Sequence, residues 1–391
     1  NLKAMAWDGL RFSRMELSGS LGDIGTMLPL LIPLILVNGL NATTVFLMVG
    51  LFYIFTGIYY RIPVPVQPLK AVAVIAISTG LSARVVASSG IIMGTFLLCL
   101  ALTGLIKEVA RVFSKPVVRG IQVTLGLMLF IKGFQYMSGE SMFIGGEKIF
   151  FEWFPLNPLI ALCGLLIAGC LLTSRKIPAA LLLVLVGLGI GMVFKPPELS
   201  LGPTVPVPVL PNLSELQMAF LLLVLPQIPV TIGNAIISTS DLAKKYFGKR
   251  ARRASTSALA STIGVANLAS GLVGGMPMCH GAGGLAAHYR FGARSGGANL
   301  MIGSLFLIAG LVFGSSALSV LGAIPLSILG VMLAITGVQL IVLLQDLSAP
   351  RDLAVAGIII GITLATNQMA AGFIIGIIVH YLMVRWPWSE W

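Results

Sequence analysis

Apolar runs long enough to cross a membrane follow one another along almost the whole chain, from Leu17 to Val384. Of the 391 residues, 57% are hydrophobic and only 10% are charged, and the mean hydropathy is +1.00. A soluble domain has about 25% charged residues, and a membrane-spanning helix needs about 20 apolar residues in succession. The sequence therefore predicts an all-α polytopic membrane protein and argues against an enzyme.

Two short polar interruptions lie inside these apolar runs. They are residues 63–70, PVPVQPLK, and residues 276–284, MPMCHGAGG. Their prolines and glycines should break the helix, and irregular backbone survives in lipid only where protein or a water-filled cavity satisfies its polar groups. A matched pair of broken spans, one in each half of a chain, indicates the binding site of a transporter.

The hydropathy pattern predicts fourteen membrane spans, with short half-helices in spans 3 and 10. Seven spans precede a proline-rich linker at 196–214 and seven follow it, and an odd number per half makes the second half run inverted. With cytoplasmic termini, most basic residues fall in cytoplasmic loops, as the positive-inside rule requires. The exceptions are Lys70, Arg84, Lys132, Lys148 and Lys195.

The formal net charge of +12 is therefore a topology signal, and no nucleic-acid partner is predicted. The basic loop 244–253 is expected to lie against anionic headgroups, so membrane lipid is a predicted partner. The four cysteines lack the spacing of metal ligands, and neither a metal site nor a cofactor is predicted. No Gly-Lys-Ser/Thr phosphate loop occurs, which favours transport driven by ion gradients rather than by ATP.

Each interruption should end a short extended stretch and begin a helix. A helix N-terminus carries about half a positive charge and free N–H groups, so two of them facing one cavity would bind an anion. Lys70 adds a full positive charge at the first interruption, and Gln67 and His280 can donate hydrogen bonds. The glycines of the second interruption would let a ligand approach the backbone closely. The balance of charge favours a small oxyanion.

Polar groups in the first and eighth spans should complete the cavity wall, and Pro226 and Pro229 predict a further helix break at 226–231. The predicted substrate-binding residues are Ser18, Asp23, Thr26, Gln67, Lys70, Gln227, Thr231, Asn234, Cys279, His280, Gly281, Ala282, Gly283 and Gly284.

Several of these residues have a simpler structural alternative. Lys70 could extend its ammonium group to the membrane interface, and His280 could be a core histidine with satisfied hydrogen bonds. Gln227, Thr231 and Asn234 could hold helices together. Asp23 is an acid inside a span, where acids are functional by default. It could couple proton movement, pair with Lys70 or cap a helix.

Three stretches of the chain look like signature segments of one family. Residues 63–71 (PVPVQPLKA), 276–296 (MPMCHGAGGLAAHYRFGARSG) and 16–26 (ELSGSLGDIGT) resemble the molybdate transporter type 1 family, a branch of the sulfate permease superfamily. The resemblance implies the inverted-repeat fold shared with uracil carriers. In that fold a core domain (15–110 and 215–317) moves against a gate domain (111–195 and 318–391), and substrate lies between spans 3 and 10.

The chain also departs from its wider relatives. Sulfate permeases usually carry a C-terminal regulatory domain, whereas this sequence stops soon after its last span. Nucleobase carriers have glutamates where this chain has Gln227 and His280, which argues against uracil-like substrates. His288 stands where the family pattern leads us to expect glutamine.

The expected function is secondary active import of molybdate by elevator-like alternating access, with protons coupled through Asp23 or His280. Tungstate is an expected competitor, and a sulfate or other oxyanion carrier is the main alternative. An anion channel or a membrane motor on the same fold is the second alternative. Short loops favour a prokaryotic plasma membrane, and analogy with the family implies a homodimer through the gate domain.

Overall fold

The computed structural model describes residues 10–146, 148–151, 153–171 and 178–385. Three basic residues that the predicted topology places in the cytoplasm, Lys3, Arg175 and Lys176, and the two predicted cytoplasmic chain ends lie outside these residues. The α-helices, in chain order, are α1 (Arg14–Ser20), α2 (Ile24–Leu36), α3 (Ala42–Tyr60), α4 (Lys70–Thr79), α5 (Ala83–Thr103), α6 (Ile106–Val112), α7 (Lys115–Ser138), α8 (Leu156–Leu171), α9 (Ala179–Phe194), α10 (Leu213–Met218), α11 (Leu225–Val230), α12 (Thr239–Phe247), α13 (Thr256–Leu272), α14 (Ala282–Arg290), α15 (Gly297–Phe313), α16 (Ala317–Gly322), α17 (Leu326–Ile341), α18 (Pro350–Thr366) and α19 (Met369–Arg385).

Short segments of other types lie between these helices. The strands are β1 (Gln67–Pro68), β2 (Phe150–Phe151), β3 (Phe154–Pro155) and β4 (Met278–Cys279). Ala219–Val224 and Thr231–Ser238 are π-helical, and Gly248–Arg253 and Val342–Asp346 are 3₁₀-helical.

Within the described residues, five helical segments are long and apolar enough to cross a membrane, and the pair α1–α2, bent by 45°, is a sixth candidate. The five are Ala42–Tyr60, Ala83–Thr103, Lys115–Ser138, Leu213–Arg253 and Leu326–Asp346. Five shorter apolar helices accompany them, namely α4, α8, α9, α15 and α19. The chain is thus a helical membrane protein.

Local sequence sets where several helices begin and end. The Asn41 side chain accepts a hydrogen bond from Thr44 N at 2.9 Å and starts α3, and Ser255 accepts from Ala258 N at 3.2 Å and starts α13. Such caps satisfy N–H groups that the helix itself cannot pair. Gly80 ends α4 with a φ of +71°, a conformation that glycine adopts without steric cost.

The predicted helix break at 226–231 is wrong. Leu225–Val230 is α-helical and lies in a continuous helical run from Leu213 to Arg253. Pro226 and Pro229 lie inside this continuous run, next to the π-helical segments, although neither has an N–H to donate. The flanking π-helical segments use wider i→i+5 turns, which are frequent at functional sites and absorb irregularities that would otherwise break the helix.

The two polar interruptions meet in the interior. β1 pairs with β4 in antiparallel register, so that Gln67 lies opposite Cys279 and Pro68 opposite Met278. Leu69 N donates to Pro277 O at 3.0 Å and extends this pairing by one bond. Each interruption then continues into a short helix, α4 on one side and α14 on the other.

Side chains from neighbouring helices hold this pairing in place. The Tyr53 hydroxyl, from α3, donates to Val66 O at 3.0 Å. The Asn267 side chain, from α13, donates to Met278 O at 2.6 Å and accepts from Met278 N at 2.9 Å. All these groups are buried, and their bonds satisfy backbone atoms that neither helix nor sheet pairs.

Glycines allow two helix pairs, α3 with α15 and α7 with α17, to pack closely. A Cβ placed on Gly50 of α3 would lie 2.8 Å from Gly303 O of α15, and one placed on Gly303 would lie 2.8 Å from Gly50 O. Gly126 of α7 and Gly337 of α17 stand in the same reciprocal relation, at 2.6 and 2.5 Å. Small residues that let backbones approach are typical of helix contacts in membranes.

In each close pair, one helix precedes the proline-rich segment and the other follows it. The pairs are α3 with α15, α5 with α13, and α7 with α17. The proline-rich segment contains no helix at 196–212, and it is fixed by Gly202 N to Val312 O and by Val209 N to Leu272 O, both at 2.9 Å. The two parts of the chain are therefore interleaved.

Candidate functional site

A cavity of about 600 Å³ lies beside the β1–β4 pairing. Its lining includes residues of α2, α4, the second π-helical segment and α14, together with residues of α7, α9 and α17. Three cationic residues line it, namely Lys70, Arg119 and Arg290, and none of its described lining residues is acidic. Among the described residues, the side chains that line the cavity are therefore more often cationic than acidic.

Half of the predicted site residues line this cavity, and the other half do not. The lining residues are Thr26, Gln67, Lys70, Asn234, Ala282, Gly283 and Gly284. The residues that do not line it are Ser18, Asp23, Gln227, Thr231, Cys279, His280 and Gly281.

The N-terminus of α4 carries a cation and already has a partner for its N–H groups. Lys70 is the first residue of α4 and is partly exposed to the cavity. The buried side-chain oxygen of Gln227 accepts hydrogen bonds from Ala71 N at 2.7 Å and Val72 N at 3.3 Å, and its amide group donates to Thr231 Oγ1 at 2.8 Å. Gln227 and Thr231 thus complete the start of α4.

The N-terminus of α14 is open by comparison. Its N-cap is Gly281, which has no side chain to accept from the first turn. No described residue accepts a hydrogen bond from the N–H groups of Ala282, Gly283 or Gly284, and all three residues line the cavity. Free first-turn N–H groups at a positive helix end are the standard elements of an anion site.

Asp23 and Gln67 form a buried pair directly behind this first turn. Gln67 Nε2 donates to Asp23 Oδ1 at 2.6 Å. Asp23 Oδ2 and Gln67 Oε1 have no hydrogen-bond partner among the described residues. The hydroxyl of Thr26 lies close to the Asp23 carboxylate. A buried oxygen left without a partner is unusual and costly, which makes this pair a candidate for a proton-dependent role.

His280 lies in a closed hydrogen-bond chain away from the cavity. Its Nδ1 donates to Pro65 O at 2.8 Å, and in the neutral ring its Nε2 accepts from the Thr262 hydroxyl at 3.0 Å. The ring is buried and stacks on Phe52 with centroids 5.2 Å apart. These contacts link the backbone before β1 to α13.

The remaining residues that the sequence singled out do not line the cavity. Cys279 is buried in β4, where its thiol donates to Pro68 O at 3.5 Å. Ser18 lies on the exposed side of α1. His288, which the sequence marked as unusual, is buried in α14, and its Nδ1 donates to Gly19 O at 2.8 Å. This bond ties α14 to α1.

The sequence did not predict the polar residues that α7 and α17 contribute to the cavity lining. Arg119 and Gln122 of α7 line the cavity, and Arg119 donates to Gln122 Oε1 at 2.6 Å and pairs with Asp346. Thr336 and Gln339 of α17 join them. Their spacing of three residues on otherwise apolar helices, which puts both members on one face, was the available signal.

Comparisons with known proteins identify the family of this chain. The family model described as "Molybdate transporter of MFS superfamily" matches residues 15–129 and 219–340. Molybdate transporter 2 of Arabidopsis thaliana is 31% identical over 94% of this chain and 87% of its own length. Molybdate transporter 1 of Chlamydomonas reinhardtii is 28% identical over 95% of this chain and 91% of its own length.

Solved structures show the fold. The transmembrane domain of a cyanobacterium bicarbonate transporter, BicA, superimposes with a TM-score of 0.67 at 16% identity, covering 97% of this chain and 98% of that one. The murine Solute Carrier 26 family member A9 anion transporter in its inward-facing state gives 0.68 at 18% identity, covering 97% and 69%. This chain thus shares the fold of these two transporters, and the relatives named here are transporters rather than enzymes. Since the family model matches more than half of the chain, this protein belongs to the molybdate transporter family.

Proposed function

We propose that this chain is a secondary active transporter that binds molybdate in the cavity beside the β1–β4 pairing. One observation carries the proposal: Lys70 and the unpaired first-turn N–H groups of α14 face a cavity whose described lining contains no acid. The family's named members and the anion transporters of the same fold support an oxyanion as substrate.

Electrostatics favour a tetrahedral dianion over a cation or a neutral solute. An anion leaving water must exchange its hydration shell for donors and positive charge. Lys70 supplies a full charge, and the α14 terminus supplies about half a charge with several N–H groups. A cation in the same place would meet the same groups as repulsion. Sulfate has the charge and shape of molybdate and remains the alternative substrate.

The proposed architecture is fourteen spans in two inverted seven-span repeats. Support comes from the close helix pairs. If α3 and α5 correspond to α13 and α15, the pair α3–α15 maps onto the pair α13–α5, while α7–α17 and β1–β4 map onto themselves. Tyr53 and Asn267 support the same relation, because each donates a hydrogen bond to the polar interruption in its own half of the chain.

We assign 15–110 and 215–317 to a core domain and 111–195 and 318–391 to a gate domain, joined by 196–214. The cavity supports the assignment, since residues of both the proposed core elements and the proposed gate helices line it. A core that carries Lys70 and α14 past the gate would move the bound anion across the membrane. We further propose cytoplasmic termini, a prokaryotic plasma membrane and a homodimer through the gate domain.

Proton coupling is proposed for Asp23. Its carboxylate lies behind the first turn of α14 and has an oxygen without a partner, so a proton there would change both the local charge and the bond to Gln67. His280, the other candidate, has both ring nitrogens in hydrogen bonds outside the cavity. The proposal therefore places the proton on Asp23.

Uptake into liposomes containing the purified protein tests this function. We expect saturable accumulation of labelled molybdate against its gradient, inhibited by tungstate and much less by sulfate. Sulfate that competes as well as molybdate would make the protein a general oxyanion carrier. Flux that only equilibrates the anion, without saturation, would indicate a channel.

A further inference from the structure

The three glycines at the start of α14 have different surroundings. A Cβ placed on Gly281 would collide with Gln67 Oε1. A Cβ placed on Gly284 would lie 2.6 Å from Asp23 Oδ2 and 2.6 Å from Gln67 Nε2. These two positions thus lack a side chain because Asp23 and Gln67 pack against them.

Gly283 lacks a side chain for a reason that internal packing does not explain. A Cβ placed there would meet no atom of a described residue within 4 Å, and Gly283 lines the cavity. Its backbone is not in the left-handed region that requires glycine. Alanine would also favour the helix by up to about 1 kcal/mol. Neither backbone geometry nor packing therefore calls for glycine at this position.

The space left by Gly283 adjoins the groups proposed to hold the anion. Gly283 N–H is one of the unpaired first-turn donors, and Gln67 and Lys70 line the same cavity. A missing Cβ lets a ligand come closer to the backbone than any side chain would permit. Molybdate and tungstate have longer metal–oxygen bonds than the sulfur–oxygen bonds of sulfate, so they need more room at the same donors.

We propose that Gly283 is a specificity-determining residue whose missing side chain makes room for the larger tetrahedral oxyanions, molybdate and tungstate, in preference to sulfate. This inference rests on the proposed oxyanion function. A larger anion fills the space and reaches Lys70 and the α14 donors together, whereas a smaller one leaves part of it to water.

The test is the Gly283→Ala variant of the full chain, purified and compared with wild type for equilibrium binding of molybdate, tungstate and sulfate. One extra methylene in a hydrophobic pocket changes discrimination by about 10- to 200-fold, and the lower end of that range applies to this larger, polar cavity. We expect molybdate and tungstate to bind at least about tenfold more weakly, while sulfate affinity changes less than about threefold. Equal weakening of all three anions, or no change in any, would overturn the inference.

Gly189→Ala is the matched control, because Gly189 is a helical glycine of α9 with no described atom within 4 Å of an added Cβ and no place in the cavity lining. It should leave all three affinities unchanged. Wild-type protein supplies a measurement that is independent of any substitution. Affinity should rise from sulfate through selenate to molybdate, and a flat series would count against the size filter.

The outcomes separate this inference from the proposed function. Wild-type protein that binds none of these anions would refute the oxyanion function itself. Wild-type protein that prefers molybdate, together with a Gly283→Ala variant that keeps the same preference, would leave the function intact and remove Gly283 as its selectivity determinant.

Discussion

The charge of Lys70 should be worth one to two orders of magnitude in molybdate affinity. Lys70 begins α4, is only partly exposed, and forms no salt bridge with a described residue. Two unit charges 4 Å apart interact by about 4 kcal/mol at an effective dielectric constant of 20. A charge-assisted hydrogen bond measured by substitution contributes about 1.5–3 kcal/mol. The energy of about 1.5–3 kcal/mol is the appropriate one here, because some of the residues that line the cavity are exposed to solvent.

Lys70→Ala should therefore raise the Kd for molybdate roughly 10- to 150-fold, as measured by isothermal titration calorimetry at fixed ionic strength. Lys70→Arg, which keeps the charge, should recover most of the loss, and Lys70→Gln should not. Lys249→Ala is the control, since Lys249 is exposed and does not line the cavity. A Kd within twofold of wild type in Lys70→Ala would refute the reasoning, most sharply if Arg119→Gln weakened binding instead.

Other expected outcomes concern coupling and packing. Asp23→Asn keeps an acceptor for Gln67 but cannot release a proton, so pH-driven accumulation, about tenfold per pH unit for one coupled proton, should vanish while anion exchange persists. Loss of exchange would contradict this. Asn267→Ala removes two hydrogen bonds to the Met278 backbone and should lower the free energy of unfolding by about 2–4 kcal/mol. Tyr53→Phe removes one hydrogen bond and should lower it by about 1 kcal/mol. Thermal unfolding in detergent measures both losses, and equal losses would argue against the assigned bonds. Gly337→Ala places a Cβ 2.5 Å from Gly126 O and should cost about 1–3 kcal/mol, and an unchanged melting temperature would mean that the α7–α17 contact is looser than described.

Local chemistry made the two interruptions predictable. Three closely spaced prolines, at 63, 65 and 68, and the closely spaced glycines after His280 disfavour a continuous helix, so both an extended stretch and a following helix could be expected. The structure places β1 against β4 and begins α4 and α14 beyond them. The same reasoning failed at Pro226 and Pro229, because π-helical turns on either side absorb the prolines without a break.

Partners set by tertiary packing could not be predicted. The sequence assigned equal anion-binding roles to the two helix N-termini, but only the structure shows the Gln227 oxygen bonded to the start of α4. The sequence alone does not distinguish the glycines at 281, 283 and 284. Only the structure shows that they differ in their positions relative to Asp23 and Gln67. Arg119 and Gln122 line the cavity from α7, which is not one of the helices that follow the two interruptions.

The location of the bound anion tests the central claim most directly. Tungstate has the charge and shape of molybdate, and its heavy atom can be located by anomalous diffraction from crystals of the full chain. We expect the tungsten peak in the cavity beside β1 and β4, with oxygens in hydrogen-bond reach of Gly283 N and Lys70 Nζ. A single peak elsewhere, for example at Arg119 or at Arg290, would contradict the account.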